Sequence, residues 1–422
     1  MKIKIHNSNL ILIYLSIVLI SFIFGFIVNE DSLGGAYHDY KFHEKYFFKF
    51  ADDFEASIHE YGNNNEVRNS PIFYIIISGL INLGFEIEFL KYLNILFVFL
   101  IIFFFLKSLE INYQDIKLDT KIFFFCTILL SPTIRSLTFH PYPFLWALSF
   151  FIISIYFYLN FQKSKSEDLK FKNSIFCILS LSISSYITPN FAVFIIFYGI
   201  KFLGNFEISF RSIILSLFAF VLSLPAIFFL IWKDFYLFYN TVYQISFFEK
   251  FNFFNKIIII SSFFFLFFLP ILKKINFKKN TPIIYSVKNI LLLSVFILSI
   301  YFFDFKTGAG GGFFYQVSNL IFNGNYFLFL IFLFSIIVFD LFKIYNYDNC
   351  IVFLILILYN LQYTIYYKYF DPVLIFVLLF MCKFDRNKIL NINYIGKRYF
   401  FFYIFFLLAN LYKSDLKLIL AQ

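Results

Sequence analysis

The stretch NEDSLGGAYHDYKFHEKYFFKFADDFEASIHEYGNNNEVRNS, residues 29–70, is a polar segment in a chain that is otherwise almost entirely apolar. It carries nine of the 25 carboxylates and three of the five histidines. Directly before it lies the apolar run LILIYLSIVLISFIFGFIV, residues 10–28, which is long enough for one helical membrane crossing. That run follows two lysines and ends without a small-residue cleavage motif, which predicts a retained anchor rather than a signal peptide.

The composition indicates the fold class. Of the 422 residues, 61% are hydrophobic and only 14% are charged, whereas a soluble globular chain has about 25% charged residues. Helices satisfy their own backbone groups in lipid. The sequence therefore predicts an all-α polytopic membrane protein, a single domain over 1–422 without a separate soluble domain, in which 29–87 is the first outer loop.

The apolar runs predict about 12–13 transmembrane helices, at roughly 20 residues per crossing. The run 70–84 is short and acidic residues follow it, so we expect a helix at the membrane surface. With that assignment nearly every lysine cluster falls on the inner face, so the net charge of +10 indicates topology rather than nucleic-acid binding. The predicted spans are 10–28, 88–106, 122–139, 142–161, 173–187, 190–204, 211–231, 255–272, 283–303, 326–343, 349–366, 372–382 and 398–412.

Within the polar segment, residues 38–54 have the period of an amphipathic interfacial helix. Asp39 and His43 fall on its apolar stripe, one turn apart, where an ionisable group is costly unless it is used or paired. The alternative is that Asp39 only caps the helix start. Asp53 also leans toward the stripe, although the Asp52–Asp53 pair could simply be solvated. Aromatic residues recur at every fourth position of the stripe: Phe42, Tyr46, Phe50 and Phe54.

Several short motifs carry a resemblance to a known family. Asp39 stands in a D-x-x-F-H context soon after the first span, and SPIFY follows at 70–74. Later motifs are SPTIRS at 131–136, GGGFFYQVSN at 310–319 and YKYFDP at 367–372. Together they resemble the GT-C-type integral-membrane glycosyltransferases, in particular the dolichyl-phosphate-glucose α-1,2-glucosyltransferases and their bacterial relatives.

The resemblance implies a GT-C-like helical bundle with amphipathic helices in its first outer loop. It also implies a polyprenyl-phosphate sugar as donor, a glycan, lipid or protein as acceptor, and Asp39 as catalytic base. The donor is a co-substrate, so no cofactor is expected. The expected location is a bacterial inner (plasma) membrane, with the active site facing the periplasm or outside.

The chemistry requires a base for the acceptor hydroxyl and a cation for the departing phosphate. Asp39 is the candidate base, and His43 could assist it or bind phosphate, with a hydrogen-bonded interfacial histidine as the alternative. Arg135 and Lys368 are the candidate phosphate ligands, with interfacial snorkelling as the alternative for both. Possible substrate-binding residues are Glu44, Asp53, Tyr369 and Asp371. The sequence contains no metal constellation, because Asp52 and Asp53 alone are too few ligands.

Other functions stay open. A transporter or flippase of lipid-linked saccharides predicts charged residues inside spans and paired broken helices. A polysaccharide polymerase predicts a large outer loop late in the chain. The glycine run 308–312 lacks the residues of a phosphate-binding loop, and it could be a flexible loop over an acceptor groove or a plain connection.

Overall fold

The computed structural model describes residues 7–63, 70–113, 115–232, 252–272, 287–306, 310–360, 362–384 and 391–420. The regular structure of these residues is helical, as predicted for an all-α polytopic membrane protein. The chain forms two compact units. Unit 1 comprises Met1–Tyr243 and Ile392–Gln422, and unit 2 comprises Gln244–Asn391.

In unit 1, α8 (Pro143–Lys163) packs against α5 (Phe89–Asn112) and α9 (Glu167–Ile187). The C-terminal helix α18 (Ile392–Leu420) packs against α6 (Leu118–Leu130). The juxtamembrane helix α2 packs against α4 and α3. The helices of this unit are α1 (Asn7–Ile27), α2 (Ala36–Asp52), α3 (Phe54–Asn63), α4 (Ile72–Asn82), α5 (Phe89–Asn112), α6 (Leu118–Leu130), α7 (Pro132–Phe139), α8 (Pro143–Lys163), α9 (Glu167–Ile187), α10 (Phe194–Phe206), α11 (Phe210–Trp232) and α18 (Ile392–Leu420).

Unit 2 is built around α12 (Phe253–Phe268). Of the residues in its candidate span, 83% are buried, because other helices surround it. Short 3₁₀ turns at Leu269–Ile271 and Tyr367–Tyr369 join its elements. Its described helices are α12 (Phe253–Phe268), α13 (Val287–Tyr301), α14 (Gly312–Phe322), α15 (Tyr326–Leu341), α16 (Tyr347–Leu358) and α17 (Val373–Phe380).

The described residues contain fewer full-length spans than the 12–13 predicted. Six helices are long and apolar enough to cross a membrane, or seven if the pair α6–α7, bent by 56°, is one span. The predicted spans 326–343, 349–366 and 372–382 contain helices of only 16, 12 and 8 residues. Hydropathy averaged over a window does not detect where a helix breaks. The start of the predicted span 283–303 lies outside the described residues.

The first outer loop contains the predicted amphipathic helix. The inner face of α2 is formed by Ala36, Tyr40, His43, Tyr46, Phe47 and Phe50. The prediction that Phe54 continues this stripe is wrong: Phe54 is exposed and begins α3, because the chain leaves the helix at Asp53. The run 70–84 contains α4, which has 11 residues and is too short to cross the membrane, as predicted.

Candidate functional site

The end of α1 places a carboxylate against the helix that it has just left. Asn29 adopts a left-handed conformation with φ of 51°. The N–H of Glu30 donates to the carbonyl of Gly25 at 2.8 Å, and the N–H of Asn29 donates to that of Phe26 at 3.4 Å. These two bonds define a Schellman motif, which satisfies the last carbonyls of the helix. The motif turns Glu30 back along α1.

Arg135 of α7 meets this carboxylate. Its side chain is only 1% exposed and that of Glu30 is 11% exposed. The Nε atom donates to Oε1 of Glu30 at 2.8 Å, while Nη2 donates to Oε2 and to the carbonyl of Ser21. The rings of Phe22 and Phe139 lie 5.8 and 5.9 Å from the guanidinium carbon. The snorkelling interpretation of Arg135 is therefore wrong, because the guanidinium is buried in an ion pair.

The residues after Glu30 bind to the same short helix. The hydroxyl of Ser32 donates to the carbonyl of Pro132 at 3.1 Å and lies 3.1 Å from the hydroxyl of Ser136. The N–H of Leu33 also donates to the Ser136 hydroxyl, at 3.0 Å. These hydrogen bonds connect residues 32 and 33 directly to α7.

Asp31 satisfies one backbone N–H group just before α2 and one in its first turn. Its carboxylate accepts from the N–H groups of Gly34 at 2.9 Å and Tyr37 at 3.1 Å. Asp39 already lies inside the helix, because its N–H donates to the carbonyl of Gly35 at 3.1 Å. Asp39 is therefore not the N-cap residue of α2, which is Gly35. Its side chain is half-buried, at the edge of the inner face.

His43 points into the core of the juxtamembrane region, as predicted. It is 4% exposed, and its Nδ1 lies 2.6 Å from the hydroxyl of Tyr74 on α4. The ring of Tyr142 meets the imidazole edge-to-face at a centroid distance of 4.8 Å. Packing and the hydrogen bond fix the orientation of the imidazole. Five more aromatic rings pack around Tyr74, namely those of Tyr46, Phe47, Phe50, Tyr61 and Phe73.

Glu44 is engaged through both carboxylate oxygens. Oε1 accepts from the Tyr40 hydroxyl at 2.8 Å, and Oε2 accepts from the Lys41 ammonium at 2.6 Å. Burial, followed by the hydrogen bond to Glu44, raises the pKa of Tyr40. The hydrogen bond to Glu44 likewise raises the pKa of Lys41. Tyr40 is thus a neutral hydroxyl donor and Lys41 a cation over the working pH range.

Asp53 lies on the solvent side of the junction between α2 and α3. Its Oδ1 accepts from the N–H of Ala56 at 3.0 Å, which is the hydrogen bond of a helix N-cap. The side chain is exposed. The interpretation that Asp53 leans toward the apolar stripe is therefore wrong. Asp53 has a structural role instead, as the N-cap of α3.

The remaining predicted site residues belong to unit 2. Lys368 is half-buried, with its ammonium 5.4 and 5.5 Å from the ring centroids of Tyr366 and Tyr369. Asp371 is fully buried, and its N–H donates to the carbonyl of Tyr367 at 3.1 Å. Asp39, His43, Glu44, Asp53 and Arg135 all belong to unit 1.

The glycine run forms a packed turn at the start of α14 over its described part. The φ angles of Gly310, Gly311 and Gly312 are 86°, 74° and 77°. The N–H of Gly311 donates to the carbonyl of Ile365 at 2.9 Å. A Cβ on Gly312 would lie 1.8 Å from the ring of Phe263. Residues 310–312 are thus a close-packed connection and not a flexible loop; Gly308 lies outside the described residues.

Sequence reasoning missed two further polar positions. The first is Glu30, which the sequence pattern does not separate from its acidic neighbours. The signals for it are a carboxylate at the end of a span and an arginine in an apolar helix, since each needs a partner. Lys256 is 1% exposed within α12, and its ammonium donates to the carbonyl of Asn360. The signal for it is a lysine followed directly by four isoleucines.

Among the described residues, no group of three or more histidine, cysteine or acidic side chains is arranged to hold a metal ion. No protein-family model, curated protein or solved structure matches this chain. The class that the helices define is therefore an all-α protein with several membrane-spanning segments.

Proposed function

We propose that the protein is a membrane glycosyltransferase that moves a sugar from a polyprenyl-phosphate donor to a hydroxyl acceptor, with Asp39 as general base. One observation carries the proposal. Asp39 is a half-buried carboxylate in the first turn of α2, past the N-cap position Gly35 and one turn before the buried His43. The resemblance of the surrounding motifs to GT-C-type enzymes supports the same assignment.

In this reaction Asp39 accepts the proton of the acceptor hydroxyl as its oxygen attacks the anomeric carbon. The bond from that carbon to the phosphate oxygen breaks, and the electron pair leaves with the lipid phosphate. Direct attack inverts the anomeric carbon. His43 lies one turn after Asp39 on α2 and is hydrogen-bonded to Tyr74 of α4. It therefore anchors the helix that carries the base.

The departing phosphate requires positive charge near it. Glu30 already pairs with Arg135, which argues against Arg135 as the phosphate ligand, and Lys368 stays a candidate from the sequence motif alone. Tyr369 and Asp371 lie in or beside the same turn and are proposed to bind substrate there. The proposal places this chemistry at the outer face of a bacterial plasma membrane, with a glycan, lipid or protein as acceptor.

Sugar transfer in membranes tests the proposal. Radiolabelled polyprenyl-phosphate sugars are supplied to membranes that contain endogenous acceptors, and wild type is compared with Asp39→Asn at matched expression. We expect a loss of about 100-fold or more, the range of a missing general base. The matched control is Asp52→Asn, an exposed residue at the end of the same helix. Full transfer by Asp39→Asn contradicts the assignment of the base.

A flippase of lipid-linked saccharides is the second candidate, because two observations favour it. The pair α6–α7 is a broken span with a bend of 56°, and Lys256 is buried within a candidate span. Broken helices and intramembrane charges are typical of transporters. Wild-type protein that transfers no sugar but moves a lipid-linked sugar across a liposome bilayer would favour this function.

A further inference from the structure

We propose that the Glu30–Arg135 pair is a latch that holds the acidic segment 29–44 on α7, and that Arg135 is therefore a positioning residue instead of a phosphate ligand. The latch joins three parts of unit 1: the end of α1, the segment that follows it and the second half of the bent pair α6–α7. It acts whether the protein transfers sugars or moves them.

The end of α1 is built to fit the pair. The Schellman motif directs Glu30 back over Gly25, where a side chain would block it. A Cβ at Gly25 would lie 2.6 Å from both Nη2 of Arg135 and Oε2 of Glu30, and 2.9 Å from the ring of Phe139. Glycine at position 25 thus leaves the space that the ion pair occupies.

The pair also fixes what comes after it. Glu30 immediately precedes Asp31, whose carboxylate orders the start of α2. Ser32 bonds to Pro132 and lies in hydrogen-bonding range of Ser136, each within one helical turn of Arg135. Without the carboxylate, the entry of α2, the helix that carries Asp39, would be held by these hydrogen bonds, by the contacts of Lys91 and His140 with Asn29 and by packing of α2 on α4, with no buried ion pair.

The geometry disfavours phosphate binding at Arg135. The planar guanidinium offers two donors to one carboxylate, so its charge is already matched by Glu30. A phosphate would have to displace that carboxylate and leave it buried without a partner. Among the described residues, the remaining nitrogen Nη1 has no hydrogen-bond partner and is buried, so it offers no accessible donor.

Hydrogen–deuterium exchange of the full chain in detergent or nanodiscs tests the latch. Exchange of peptides from 29–44 is compared between wild type, Arg135→Gln and Gly25→Ala. We expect at least about tenfold faster exchange in both variants. Arg135→Gln leaves the buried Glu30 carboxylate without its cation, and Gly25→Ala places a methyl group where the ion pair lies. The control is Arg211→Gln, since Arg211 is 38% exposed and pairs with Asp168 at the surface. Exchange at 29–44 that stays at the wild-type rate in both variants overturns the latch.

A double variant separates positioning from phosphate binding. Glu30→Leu with Arg135→Met removes both charges, which is far milder than removing one. We expect exchange at 29–44 to return toward the wild-type rate, together with whatever transfer or translocation the wild type shows. Restored protection without restored activity would show that the Arg135 cation itself is needed, and would overturn its assignment as a positioning residue. Asp39→Asn should abolish sugar transfer and leave this exchange unchanged, so failure of the latch and failure of the proposed function are distinguishable.

Discussion

Residues 29–63 of unit 1 and the glycine turn 310–312 of unit 2 both interrupt an apolar chain, but different interactions stabilise them. In unit 1 side chains form the structure, through the Glu30–Arg135 ion pair and the caps made by Asp31 and Asp53. In unit 2 the backbone forms it, through left-handed glycines and the hydrogen bond from Gly311 to Ile365. The first region is therefore sensitive to the loss of a charge, and the second to the gain of a single methyl group.

Gly312→Ala should have the largest effect on stability among the variants that probe this comparison. The new Cβ would overlap the buried ring of Phe263 at 1.8 Å, and the residue has a φ of 77° that alanine rarely adopts. Strain and overpacking together should cost about 3 kcal/mol or more. The measurement is thermal unfolding of the purified protein in detergent.

Gly324→Ala is the matched control in the same unit, since its Cβ would approach the ring of Tyr326 only to 3.4 Å. A loss of less than about 1 kcal/mol is expected there, within the ordinary range for a surface change. Equal losses at Gly312 and Gly324 would mean that the turn is not the rigid element described above.

Asp53 offers a smaller test of the side-chain region. Asp53→Ala removes the N-cap of α3 and should cost about 1 kcal/mol, whereas Asp53→Ser keeps a capping oxygen and should cost little. The neighbouring exposed Asp52→Ala should change stability by less than about 0.5 kcal/mol. The thermal midpoints of the three variants measure this order.

The same variants test the second role predicted for Asp53. If Asp53→Ser retains stability but loses sugar transfer, then the carboxylate binds substrate as well as capping α3. Retained stability with retained transfer restricts Asp53 to its capping role.

Local pattern predicted the features that depend on local periodicity. The period of α2 placed His43 on the inner face, and the length of the run at 70–84 predicted a helix too short to cross. The same period placed Asp39 on the inner face, whereas the structure has it only half-buried, at the edge of that face.

Features that depend on distant contacts could not be predicted. Glu30 and Arg135 are 105 positions apart, and each looks like an interfacial charge when read alone. The close packing of Gly312 depends on Phe263, which precedes it by about 50 residues. Among the described residues, fewer full-length spans are found than predicted for a related reason, since a hydropathy average does not reveal where proline or packing ends a helix.

Lowering the pH from 7 to about 6 should weaken unit 1 through His140 and act less on unit 2, because the segment 244–391 contains no histidine. His140 ends α7, and its Nε2 lies 3.2 Å from the carbonyl of Asn29. Burial lowers the pKa of His140 below its usual 6.5, and Lys91 lowers it further, whereas Asp31 and the Asn29 carbonyl oppose this shift.

The sign of the pH effect follows from this lowered pKa, and the effect should be the smallest of those predicted here. The folded state favours neutral His140, so its contribution to stability is fully present above the unfolded pKa of about 6.5 and is lost as the pH falls through the folded pKa. The thermal midpoint of wild type should therefore fall more steeply below pH 6.5 than that of His140→Gln. If the thermal midpoints of wild type and His140→Gln fall equally with pH, the buried imidazole does not make the acidic segment sensitive to pH. The ionic contacts of that segment would then be its one difference from the glycine turn.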